Sequence, residues 1–96
     1  MTNAQTHTLW QMVLKFLAIR NLAAFSHEQV ANRLRVEGDV DFRFTDDDVK
    51  DACVVLIHKG FIQEVRESEL DVVKHYEVTA KGIVESSRWR EERGLS

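Results

Sequence analysis

The sequence predicts an α+β fold: three helices, a two-stranded β-hairpin and a C-terminal helix in one small domain. Three observations carry this. The run 45–60 has a capped start, an apolar stripe and a glycine stop. Two short runs after it alternate in hydrophobicity. A second cap, Thr79, then precedes another helical pattern.

The run 45–59 is the clearest helix. Thr45 suits the N-cap, and Asp48 three residues on can return a hydrogen bond, as in a capping box. Asp46, Asp47 and Asp48 lie where the positive end of the helix dipole favours carboxylates. Val49, Ala52, Cys53 and Leu56 fall at i, i+3, i+4 and i+7, one buried face. His58 and Lys59 suit the negative end, and Gly60 supplies the left-handed stop. The segment 61–66 then reads as a strand, 67–69 as a polar tip and 71–78 as the returning strand.

With Leu-Ile-His-Lys-Gly-Phe-Ile at 56–62 and Tyr-Glu-Val-Thr-Ala-Lys-Gly at 76–82, the chain resembles the winged-helix superfamily. More narrowly, it is similar to small MarR- and PadR-like regulators. In such proteins a recognition helix ends at Lys/Arg-Gly, a β-wing follows, and Tyr-x-Leu-Thr-x-x-Gly opens the next helix. The resemblance implies a winged helix-turn-helix, a DNA-binding transcriptional regulator, and a homodimer formed through the terminal helices.

Ninety-six residues make one domain, with a flexible N-terminus over 1–8, the folded unit over 9–93 and a tail over 94–96. A chain of this length buries about 65% of its unfolded surface, which leaves no room for a large enclosed catalytic cavity. The composition, 44% hydrophobic and 30% charged, is that of a soluble globular protein. No run approaches a membrane span and no signal-peptide pattern opens the chain, so a cytoplasmic protein with no membrane association is expected. A single cysteine excludes an internal disulfide framework.

Before the central stretch, 9–22 reads as a helix. Leu9, Trp10, Met12, Val13, Leu14, Phe16, Leu17 and Ile19 cover an arc of roughly 220°, against ~100° for a helix facing one core. Such a helix either runs through the middle of the domain or buries a second face in a partner. The breadth favours the partner, which places Leu9, Trp10, Leu14, Leu17 and Trp89 at a dimer or partner interface. Residues 21–25 form a short connection with a few extended residues. Ser26 and Gln29 make a capping box for a helix with Val30, Ala31 and Leu34 inward, ending near Val36 before Gly38. Residues 37–44 then separate the two helices of the helix-turn-helix by about twice the usual 3–4-residue turn. Within them Val40, Phe42 and Phe44 alternate with charged residues, the mark of an extended segment with one buried side. In the C-terminal helix Ala80, Ile83, Val84 and Ser87 read as the core-facing side, Trp89 lies opposite, and Gly82 lets neighbouring backbone approach closely.

For nucleic acid, the outward face of the 45–59 helix carries Asp47, Lys50, Asp51, Val54 and His58. Candidate DNA-contacting cations are Lys50, Arg66, Lys74, Arg43, Arg33 and Arg35, provided that the fold gathers them. That helix face has no Arg for guanine and no Asn or Gln for adenine. Residues 39–77 hold five Lys/Arg against eleven Asp/Glu, a net of −6. Phosphate neutralisation supplies most non-specific affinity, so double-stranded DNA is electrostatically disfavoured as a partner. The competing reading is a winged helix used as a protein-interaction module that has lost DNA binding. Val54 and Val55, outside the core stripe, are then a further protein contact.

Catalysis and cofactors find no motif. The four histidines and Cys53 lack the spacing of a zinc site. Ser26 beside His27 is explained by capping, and no glycine-rich phosphate loop is present. No enzyme, metal or cofactor is expected.

Overall fold

The computed structural model describes residues 1–38, 40–66 and 72–92. The order is α1 (Asn3–Ile19), α2 (His27–Glu37), α3 (Asp46–His58), β1 (Ile62–Val65), β2 (His75–Val78) and α4 (Ala80–Glu92). The wing tip 67–71 and the tail 93–96 lie outside the described residues.

Helix α1 begins six residues earlier than the sequence pattern indicated. Thr2 is its N-cap: Gln5 N–H donates to Thr2 Oγ1 and Thr2 N–H donates to Gln5 Oε1, both at 3.1 Å. This capping box turns residues 3–8, expected to be frayed, into the first turns of the helix. The helix also stops earlier, at Ile19. There Arg20 folds back, its guanidinium 3.9 Å from the Phe16 ring centroid and its Nη2 2.9 Å from Glu37 Oε1. Leu22, placed in the helix by its hydrophobicity, is 98% exposed in the turn that follows.

The domain itself buries most of the wide apolar arc of α1, while Trp10 and Met12 are half-buried and Ile19 is exposed. Leu9, Val13, Leu14, Phe16 and Leu17 are all buried in the same core as α2, α3, β1 and β2. Helix α1 packs on α3, α4, β2 and α2. It is the central helix, and Leu9, Leu14 and Leu17, expected at an interface, point into the domain's own core. The reason is geometric, since neighbours on several sides cover an arc that one neighbour could not.

Capping fixes the next two helices as the sequence indicated. Ser26 and Gln29 exchange hydrogen bonds at 2.9 and 3.2 Å, and Gly38 closes α2 in the left-handed region at φ 68°. Thr45 and Asp48 do the same for α3 at 2.8 and 3.1 Å. At the far end, Phe61 N–H donates to Leu56 O at 3.0 Å and Gly60 N–H to Ile57 O at 2.9 Å. This pair is a Schellman motif around Gly60, whose φ is 78°. Any Cβ at Gly60 would meet only the flexible Lys81 side chain at 3.7 Å, so strain there is conformational rather than steric. We therefore expect Gly60→Val to destabilise by about 2 kcal/mol and Gly60→Asn by clearly less, because Asn tolerates this region. Urea melts of the two variants check it. Equal losses would mean that the left-handed stop does not set the cost.

Strands β1 and β2 pair antiparallel, with Ile62 opposite Val78 and Glu64 opposite Tyr76. A one-residue bridge joins Phe25 to Tyr76 through hydrogen bonds of 2.9 and 2.8 Å. The connection before α2 is thus the extended piece that its composition indicated. The returning strand is shorter than expected, starting at His75, and Val72 and Val73 ahead of it are exposed.

Helix α4 is rotated relative to the sequence reading. Gly82, Ser86 and the half-buried Trp89 face inward, whereas Ala80, Ile83, Val84 and Ser87 face out. Gly82 sits directly against the Phe61 carbonyl, where an added Cβ would collide with it. Thr79 locks the junction: its hydroxyl donates to Gly60 O at 2.7 Å and accepts from Gly82 N–H at 3.1 Å. Trp89 meets Phe61 edge-on at 6.0 Å between centroids and His7 at 6.2 Å.

Candidate nucleic-acid interface

Helix α3 presents the face read from its sequence. Val49, Ala52, Cys53 and Leu56 are buried, while Asp47, Lys50, Asp51, Val54 and His58 are exposed. Its four carboxylates divide into two kinds. Asp48 is held by the capping box, and Asp46 lies 2.8 Å from Arg35 Nη2. Asp47 and Asp51 have no ion-pair partner among the described residues and stand in solvent beside Lys50. Val54 is 44% exposed in the middle of this face and Val55 is half-buried beside it.

The candidate cations are distributed among different tasks. Arg35 bridges α2 and α3, pairing with Asp46, donating to Phe44 O at 3.2 Å and lying 4.9 Å from the Phe44 ring centroid. It acts as a clamp on the helix-turn-helix. In the wing, Glu64 gathers both cations, with Arg66 Nε at 2.7 Å and Lys74 Nζ at 4.0 Å. A carboxylate between them cuts the local field that a phosphate would feel. Arg33, Arg43 and Lys50 are exposed and have no ion pair among the described residues. Among the described residues, three of the six named cations are thus without an ion pair.

Glu64 and Asp46 are the partners that sequence reasoning did not name. Glu64 and Arg66 share one side of a strand by the two-residue period, a signal that was available. Lys74 reaches Glu64 diagonally across the hairpin, which only the strand register reveals.

Of the residues placed at a partner interface, Leu9, Leu14 and Leu17 are buried inside the domain and offer no surface. Trp10 and Trp89 are half-buried and packed on the core, and Trp89 does not face away as its helical angle had indicated. His7 stacks edge-on against Trp10 at 5.7 Å and closes this aromatic cluster.

Burial pushes the Cys53 thiol up to about 12, so it stays protonated and unreactive. Burial also raises Tyr76, with smaller contributions from Cys53 and Glu64. No cluster of three or more His, Cys, Asp or Glu side chains suited to a metal occurs among the described residues. No helix among them is long and apolar enough to cross a membrane.

A helix-turn-helix followed by a two-stranded wing and a closing helix is a winged-helix domain, and this chain has that fold. It is similar in structure to a transcriptional regulator from Clostridium thermocellum, with 16% identity, 98% of this chain and 88% of that one covered, and a TM-score of 0.76. A PadR-like transcriptional regulator from Bacillus cereus superposes with a TM-score of 0.73 at 14% identity, covering 97% and 87% of the two chains. MepR of S. aureus in a complex with DNA gives 0.65 at 19% identity, over 95% of this chain and 63% of MepR. No protein-family model and no curated protein matches the sequence.

Proposed function

We propose that the chain is a cytoplasmic winged-helix transcriptional regulator that acts as a homodimer and binds duplex DNA weakly, chiefly through phosphates. The observation that supports DNA binding is the exposed outward face of α3 beside a wing, on a fold shared with regulators that include a DNA-bound one. The weakness follows from charge. Asp47 and Asp51 have no ion pair among the described residues, and Glu64 offsets Arg66 and Lys74 in the wing. Contacts would then fall to Arg33, Arg43 and Lys50, as cations for phosphate rather than readers of bases. Fluorescence anisotropy with a random-sequence duplex across a salt series tests this. Binding at low salt that vanishes near physiological salt is expected. No binding at any salt, with a protein partner captured instead, would favour the interaction-module reading, for which the exposed Val54 is the anchor.

Support for the dimer comes from α4 rather than from the buried stripe of α1. Ile83 and Val84, 37% and 61% exposed, sit on one outward face with Ala80 and Ser87. Helical spacing of i, i+3, i+4 and i+7 with apolar members suits a second copy of the same helix. We expect light scattering behind a sizing column to give about twice 11.1 kDa at micromolar concentration. Val84→Glu should halve that mass without unfolding the chain, since the position is exposed. A wild-type monomer would remove the idea.

A further inference from the structure

Apolar side chains stand in solvent at two places that phosphate contacts leave unexplained. One is the end of α1 and the turn after it, where Ile19 and Leu22 are exposed. Met12, Lys15, Ile19 and Arg20 line a groove of about 140 Å³ with Leu34 and Glu37 of α2. It adjoins a hollow of about 270 Å³ to which Ile19, Arg20, Leu22 and Ala23 contribute. The other place is Val54 on the outward face of α3. Asp47, Lys50, Asp51 and Val54 fall there at i, i+3, i+4 and i+7, a single stripe.

The charges around the two places are opposite in sign. Residues 1–38 hold four Lys/Arg against two Asp/Glu, whereas 39–77 hold five against eleven. Lys15 in the groove, and Arg33 one turn before Glu37, have no ion pair among the described residues. Arg20 and Glu37 offset each other at 2.9 Å. On the α3 stripe the two carboxylates Asp47 and Asp51 outnumber Lys50. A groove with apolar walls and a positive rim suits a helix that presents an apolar anchor and carboxylates one turn apart. The chain's own α3 is such a helix.

We propose that the α3 stripe of one copy docks in the α1–α2 groove of another, Val54 against Ile19 and Leu22, with Asp47 and Asp51 toward Lys15 and Arg33. The two faces are different, so the association is head to tail: each copy offers α3 to one neighbour and its groove to the next. Such a contact covers the outward face of α3 as the protein becomes concentrated. It rests neither on DNA binding nor on the α4 dimer, and its test uses no DNA.

The test is analytical ultracentrifugation of the whole chain carrying Val84→Glu, which removes the α4 contact. A contact built on one groove belongs with weak interfaces, at a Kd on the order of 0.1 mM. The expected result is a mass that grows with concentration beyond that of a pair, and grows less when added salt screens the charges. Val54→Lys alone, or Ile19→Gln with Leu22→Gln, should each weaken the association at least about tenfold. The melting temperature should not change, since all three side chains are exposed. Mixing the two variants is the decisive step. Each keeps the face that the other lacks, so the mixture should form a one-to-one pair and nothing larger. A mass that stays flat with concentration would overturn the proposal, as would growth that survives either variant or a mixture that stays unassociated. A Val84→Glu protein still paired at micromolar concentration would count against the α4 dimer alone, because growth above that mass still reads the head-to-tail contact.

Discussion

Gly82→Ala is expected to destabilise the protein by about 3 kcal/mol, lowering its melting temperature by roughly 15 °C. The sign is the informative part. Inside an ordinary helix, exchanging glycine for alanine stabilises by up to about 1 kcal/mol. Here the added Cβ would meet the backbone carbonyl of Phe61 and the side chain of Val78. Backbone cannot step aside as a flexible side chain can. The Phe61 carbonyl also accepts from Thr79 N–H at 2.9 Å, and Thr79 in turn caps α4 and ties down Gly60. Displacing α4 therefore loosens the stop of α3, the start of the wing and the helix that follows together. Gly38→Ala serves as the control. Gly38 has positive φ but open space around it, so only the conformational cost of about 1 kcal/mol applies. Thermal melts of both variants decide the matter. A Gly82→Ala protein as stable as the wild type would show that α4 does not dock on the Phe61 carbonyl.

The elements whose signals are local were legible in the sequence. Ser26 with Gln29, Thr45 with Asp48, and the glycines at 38 and 60 each specify a helix end through atoms three to five residues apart. What depends on packing was not. The ~220° arc of α1 favoured a partnered helix, whereas the placement of α3, α4 and β2 around it turns most of the arc into the domain's own core. Helix α4 was rotated wrongly for a related reason. Its apolar residues Ile83 and Val84 mark the outer face, while the small residues Gly82 and Ser86 mark the face that approaches closely. Hydrophobicity is a poor guide where close approach, rather than side-chain volume, fills the contact. The candidate cations suffered from the same limit. Arg35, Arg66 and Lys74 look free in a list of charges, but strand register and helix crossing give each a carboxylate.

That sorting of charges sharpens the expectation for DNA. The Asp47→Asn, Asp51→Asn double variant should bind a random-sequence duplex about tenfold more tightly than the wild type at low salt. Both carboxylates are exposed, neither has an ion-pair partner among the described residues, and both lie on the α3 face that would approach the phosphates. Asp46 and Asp48 are unsuitable for this test, since they hold Arg35 and the helix cap. Replacing them would confuse stability with electrostatics. The salt dependence gives a second readout. Each phosphate neutralised contributes about −0.9 to the slope of log K against log salt. With Arg33, Arg43 and Lys50 as the contacting cations, the wild-type slope should be about −3. Lys50→Ala should reduce its magnitude by about 1, and Arg66→Ala with Lys74→Ala should weaken binding only modestly, because that pair already shares Glu64. Nanomolar, sequence-selective binding at physiological salt that is lost in the Asp47/Asp51 double variant would reverse this picture. Those carboxylates would then be specific contacts, accepting hydrogen bonds from cytosine amino groups rather than repelling the duplex.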